Sequence, residues 1–266
     1  MVAHDAHATA DDRTGELLRL GRALGLESRG LAILGEGNVS AALGDGTFLV
    51  KASGSSLRDL SETDLVRVDH GAVIDAVDAL GRIPSDAAVA ASLRAATTEK
   101  GAPMPSVETF LHALCLEQPN VAWVGHVHAV NVASVLCSAA GAEPLRRHVL
   151  PDAVVVCGPA PAVVPYVDPG HALALAVREE LARYGGEHGR PPRLLLMENH
   201  GPVALGATAR EVEAILTMAE KWAGIVLASA AFGGPAYLSD DAVARIDGRL
   251  DEAVRRRRIA GEDGAA

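Results

Sequence analysis

The chain has 266 residues, 49% of them hydrophobic and 22% charged, with a formal net charge of -10. That is the composition of a soluble globular protein long enough to bury a substantial core. An acidic chain with only 3% aromatic residues offers no cationic field for nucleic acid or an anionic membrane face, and no base-stacking platform.

Residues 1–12 lack a basic start and an apolar run, so they read as a flexible tail rather than a leader, with 13–255 as one domain and 256–266 as a second tail. Leucines at 17, 18, 20 and 24 predict a helix over 14–25. Short β-like runs at 39–43 and 47–51 flank Gly44, Asp45 and Gly46, which is a hairpin signal. Ser61 caps a turn before a strand at 65–68, and residues 86–100 form an alanine-rich helix. Ser106 opens a further helix whose apolar face is Val107, Leu111, Leu114 and Cys115, ending before Pro119.

Residues 121–142 carry no formal charge and are long enough to be weighed as a membrane span. His126, His128 and Asn131 make that costly, and the β-rich first half gives way to a helix-like second half, so a buried strand followed by a helix is expected. Strands follow at 153–156 and 163–165, then a helix at 171–184. A buried strand at 193–198 has its hairpin partner at 202–206, and helices at 210–231 and 239–258 complete the chain, the last capped by Ser239. Without a strict βαβ rhythm, the pattern predicts an α/β chain: a three-layer α/β/α sandwich with a mostly antiparallel central sheet. Cys115, Cys137 and Cys157 fall outside any CxxC pattern, which disfavours a disulfide framework and fits a reducing, cytoplasmic setting.

His126, Val127 and His128 read as strand, where the period of two sends both imidazoles to one face. His200 follows another buried strand, and three imidazoles with an open fourth position describe a catalytic metal site. Most histidines in a chain with ten are surface or core groups, but this pair sits in a charge-free apolar segment where unpartnered imidazoles are unfavourable. Glu108, in a first helical turn, is either a helix-start carboxylate favoured by the dipole or, near a metal, a proton-transfer group. Glycines 35, 37 and 54 with Asn38, Ser53, Ser55, Ser56 and Ser106 suit either plain turns or an anion cradle. GEGN is not GxGxxG and no Walker lysine follows, so no nucleotide is implied. His112, one turn after Glu108, reads as structural, and residues 255–258, all arginine, read as a solvated helix end.

Taken together, GNVS (37–40), ASG (52–54), PSVE (105–108), HVH (126–128) and NHG (199–201), in this order, resemble the class II aldolase/adducin family over roughly residues 14–245. The chain looks most like the aldolase domain of bifunctional rhamnulose-phosphate aldolase/alcohol dehydrogenase proteins, without the dehydrogenase half. The resemblance implies a divalent metal, usually Zn2+, held by His126, His128 and His200, with Glu108 as acid and base. It implies a phosphate pocket at Asn38, Ser53, Gly54 and Ser106, and a homotetramer with sites between subunits. The implied reaction is that of a metal-dependent aldehyde-lyase, making or breaking a C–C bond in a small sugar phosphate through a metal-stabilised enediolate. Val107 stands where fuculose-phosphate aldolases carry a second serine, so the anion pocket loses one hydroxyl. No tyrosine follows Tyr237, which removes the tail group those aldolases use and disfavours a ribulose-phosphate 4-epimerase. Decarboxylase and dehydratase chemistry on a sugar acid or sugar phosphate are the alternatives, with a noncatalytic adducin-like module, whose branch has largely lost the histidines, as the competing class.

Overall fold

The structure is a computed structural model that describes residues 10–81 and 84–261. Its strands are β1 (Asn38–Ala42), β2 (Thr47–Lys51), β3 (Leu65–Asp69), β4 (Trp123–His126), β5 (Ala162–Val164), β6 (Leu194–Met197) and β7 (Gly201–Gly206). They form one sheet in the order β3-β2-β1-β4-β7-β6-β5, antiparallel throughout except for the parallel β5–β6 pair. The expected mostly antiparallel sheet is therefore present. The hairpin between β1 and β2 turns on Gly44 and Gly46, both in the left-handed region, with the Asp45 carboxylate accepting from the Thr47 amide.

The helices are α1 (Ala10–Leu24), α2 (His70–Ala79), α3 (Asp86–Ala96), α4 (Thr109–Leu116), α5 (Val130–Leu136), α6 (Pro151–Cys157), α7 (His171–His188), α8 (Ala209–Ser229), α9 (Asp240–Asp247) and α10 (Leu250–Ala260). Strand alternation assigns them to two layers. In β6, Leu194 and Leu196 join the core built with α1, α5, α6 and α8, whereas Leu195 and Met197 join the core of α2, α3, α4 and α7. In β4, Trp123 faces the first layer and Val124 the second. His126 shares the parity of Val124, so its side chain is turned to the layer that contains α4.

Among the described residues, α8 and its extension to Phe232 form a helix long and apolar enough to cross a membrane by length and composition. Its buried stripe, including Val212, Ile215, Leu216, Ala219 and Trp222, packs into the core against the sheet. The charge-free stretch at 121–142 resolves into β4 followed by α5, as its change of pattern predicts.

Two expectations are corrected. Residues 153–156 are not a strand but the interior of α6; all of Ala153–Cys157 is buried, and such a run carries no period, while Pro151 at the first turn starts the helix. The single helix expected at 239–258 divides near Gly248 into α9 and α10, although Ser239 does cap α9 by accepting from the Ala242 amide. Of the segments read as tails, residues 1–9 and 262–266 lie outside the described residues; α1 begins at Ala10 and α10 runs to Ala260. Helix α2, capped by the Asp69 carboxylate, occupies a stretch in which the sequence signals only the preceding strand.

Candidate functional site

Three chain segments converge at one end of the central strands. β4 lies between β1 and β7, with Asn38 and Val203 opposite His126. The strand ends at His126, so His128 lies two residues past it rather than within it. The Val127 amide still donates to the Pro202 carbonyl, and the two rings remain together, their centroids 5.0 Å apart. His200 arrives from the turn between β6 and β7, where Asn199 adopts a left-handed conformation that asparagine tolerates. Its ring lies 4.7 Å from that of His126 and 4.9 Å from that of His128.

This geometry fits a cation. The potential ligand atoms of His126, His128 and His200 all lie within 4.8 Å of one another. Because a carbonyl only accepts, the 3.0 Å contact to the Pro202 oxygen places the proton of His126 on Nδ1 and leaves the Nε2 lone pair facing the cluster. His126 Nε2 and His128 Nε2 are 3.1 Å apart. Tetrahedral zinc with Zn–N bonds of the usual length separates two ligand nitrogens by about 3.3 Å. Burial pushes the wholly buried His126 down to about 3 against the opposing charge of Glu108, so its imidazole is neutral, as a metal ligand must be.

Glu108 enters from the turn before α4, on the face to which His126 points. Its Oε1 lies 3.3 Å from His200 Nε2 and 3.7 Å from His126 Nε2. Asn38 Nδ2 donates to its Oε2 at 2.5 Å. Burial resists ionisation of Glu108, yet the surrounding imidazoles of His126, His200 and His112 outweigh it and hold the carboxyl below its ordinary range. The His112 ring does not bond the Glu108 carboxylate, although its backbone amide donates to the Glu108 carbonyl. Its Nδ1 pairs with Ser40 Oγ at 2.7 Å, and burial pushes it down to about 4.

The residues assigned to an anion pocket divide. Ser53, Gly54 and Ser106 are neighbours because the chain after β2 pairs with the chain before α4: the Ser53 amide donates to the Met104 carbonyl, and the Ser106 amide to the Lys51 carbonyl. Ser53 and Gly54 are exposed, Gly54 has a φ of 81° with open space where a side chain would stand, and Ser106 Oγ accepts from the Glu108 amide. Asn38 is buried with its amide turned onto Glu108 instead.

The Class II Aldolase and Adducin N-terminal domain model matches residues 15–227. The chain belongs to this family. Among curated protein sequences none matches it. Solved structures share its fold. YgbL of Klebsiella pneumoniae, whose description places aldolase, epimerase and decarboxylase side by side, is 25% identical with a TM-score of 0.69, covering 90% of this chain and 99% of that one. An L-fuculose 1-phosphate aldolase is 20% identical with a TM-score of 0.67 over 92% and 99% of the two chains. A sugar-phosphate aldolase of Thermotoga maritima is 17% identical with a TM-score of 0.62 over 84% and 98%. These likenesses show that the chain has the fold of its family.

Two neighbours of this cluster had no signal of their own in the sequence. Glu36, its Oε1 3.9 Å from His128 Nδ1, lies in the GEGN turn, and nothing local connects it to a histidine 92 positions on. Lys51 is buried at the end of β2, with Nζ donating to the Ser55 carbonyl at 2.6 Å; burial lowers its pKa, and the charges of Glu108 and Asp64 oppose that.

Gly201 is required by close approach. A Cβ there would lie 2.3 Å from the Val127 carbonyl oxygen and 3.3 Å from the His128 Cα, so backbone must move. Gly201→Ala is expected to cost about 1–3 kcal/mol by overpacking and to spread His128 from His200. Thermal melting with and without added zinc checks both effects: a lower melting temperature and a smaller zinc-dependent rise. An unchanged zinc response overturns the positional role.

Proposed function

We propose that the chain is a divalent-metal-dependent aldehyde-lyase, with Zn2+ held by His126, His128 and His200, that makes or breaks a C–C bond in a small sugar phosphate. The observation that carries this reading is the Glu108 carboxylate set against a three-imidazole cluster. When bound, the cation supplies a Lewis acid that stabilises negative charge developing on the substrate's oxygens as the bond breaks.

The chain's own residues do the rest. The Pro202 carbonyl fixes the tautomer of His126 so that Nε2 faces the site. Asn38 holds Oε2 of Glu108, which leaves Oε1 as the atom that takes a proton from the substrate and returns it. Ser53 and Ser106 present their hydroxyls and Gly54 its amide to the phosphate, anchoring the end of the substrate that does not react. Val107, 46% exposed beside Ser106, offers no hydroxyl to that end.

A homotetramer with sites between subunits fits the apolar surface near the cluster. Leu26, Ile33 and Leu34 are exposed on the segment that also carries Glu36, and this segment meets α5 through the Val130 amide and the Gly30 carbonyl. Cytoplasmic function accords with the free thiols of Cys115, Cys137 and Cys157.

The test is a screen of ketose 1-phosphates and oxo-acid phosphates with the zinc-loaded protein, following dihydroxyacetone phosphate and carbon dioxide. Release of dihydroxyacetone phosphate supports the aldolase. Release of carbon dioxide alone, without any aldehyde product, replaces it by a decarboxylase.

A further inference from the structure

At the far end of the β6–β7 hairpin from His200 lies a second polar cleft, of about 480 Å³. Small-ligand pockets occupy roughly 300–1,000 Å³. Four guanidinium groups line it: Arg190 and Arg193 from the approach to β6, and Arg256 and Arg257 from α10. Two carboxylates face them, Glu211 at the start of α8 and Asp247 at the end of α9. Ala253 and Ala260 lie on the α10 wall, and their small side chains leave the space open.

The carboxylates do not neutralise this wall. Glu211 is committed to Arg193 and to the Ala207 amide. Asp247 is divided between two cations, with one oxygen 2.5 Å from Arg190 Nη2 and the other 3.7 Å from Arg256 Nη1. That second distance is too long for a hydrogen bond, and Arg256 Nη1 is buried without a partner. The Arg257 side chain is exposed and has no hydrogen bond or ion pair among the described residues. Burial presses the Arg193 guanidinium down from its ordinary value, and the neighbouring charges of Arg256 and Arg190 add to this. Two positive charges are therefore in excess in a chain whose net charge is -10. The helix-end arginines expected to be merely solvated separate accordingly: Arg255 pairs with Asp152 on the surface, while Arg256 and Arg257 face the cleft.

We propose that this cleft binds a small phosphorylated dianion, at a site separate from the metal cluster. Guanidinium forks match the oxygens of a phosphate group in pairs, and an excess of two positive charges matches one phosphate ester. No histidine, cysteine or hydroxyl lines the cleft, so the site binds a ligand and performs no chemistry on it. The inference does not rest on the metal-dependent reaction, because the cleft and the cluster share no residue.

Titration calorimetry at low ionic strength and mildly alkaline pH with inorganic phosphate, a dianion there, tests it on the full chain. The wild type is expected to show saturable binding, weakened roughly ten- to a hundredfold in Arg256→Ala and in Arg257→Ala, which is the loss of one hydrogen bond to a charged group. Arg257→Lys should restore part of it. Because the Arg257 side chain has no partner among the described residues, its variants should keep the wild-type melting temperature. Ser106→Ala, which alters only the pocket at the other site, should leave this binding unchanged. Absence of saturable binding by the wild type overturns the proposal, as does an affinity unchanged in both arginine variants or lost in Ser106→Ala.

Discussion

Replacing Glu108 with glutamine is expected to lower kcat by roughly 10²- to 10⁴-fold, the usual contribution of a positioned proton-transfer group. The exchange preserves shape, so the amide oxygen can still accept from Asn38 Nδ2 where Oε2 does now. It removes the charge and the basic lone pairs at Oε1, the atom that faces His200 and His126. The three imidazoles remain, so bound metal should stay at the wild-type amount and KM should change little, which separates lost proton transfer from lost binding. The pH profile gives a second reading. The wild-type carboxyl is held below the ordinary carboxylate range, hence ionised at neutral pH, and the acid limb of kcat should lie below the pH at which a free glutamate titrates. A kcat within a few-fold of wild type, with metal retained, would remove Glu108 from the reaction.

What the sequence made legible here follows from the range of each interaction. The HVH segment announced a site through a local rule, the two-residue period, and the structure keeps its rings together even though the strand stops at His126. Burial parity in β6 was equally local, because Leu194 to Met197 alternate between two cores. The bond from Asn38 to Glu108 depends instead on β1 pairing with β4 and on α4 packing over the same face, contacts that join residues 70 positions apart. No window of sequence contains them. For that reason Glu108 could be read as a plain helix-start residue as readily as a proton-transfer group, and Asn38 as part of a turn or an anion cradle rather than as the partner of Glu108. The misread of α6 has the opposite origin: a local signal existed but was ambiguous, since residues buried on every side show neither period. At residues 239–258 the apolar pattern was weak, and Gly248 decided where the helix divides.

Replacing His126 with alanine should have the larger effect on the metal. This ring is fully buried, and its tautomer is fixed by Pro202 from behind. The substitution leaves His128 and His200, two ligands where a catalytic zinc site uses three. Metal per chain, measured after dialysis against trace zinc, should fall from about one toward zero, and turnover should fall with it. Loss of activity alone does not prove ligation, because a cavity at a buried position also destabilises the fold. Linkage separates the two causes. A ligand that binds only the folded chain stabilises it by about 4 kcal/mol at a thousand times its Kd. Zinc should therefore raise the melting temperature of the wild type, and a chelator should reverse both that rise and the activity. In His126→Ala the baseline falls and the response to zinc disappears. A merely structural histidine would lower the baseline and leave the zinc response intact. An intact response in both His126→Ala and His200→Ala would reject these residues as ligands, whatever their activity.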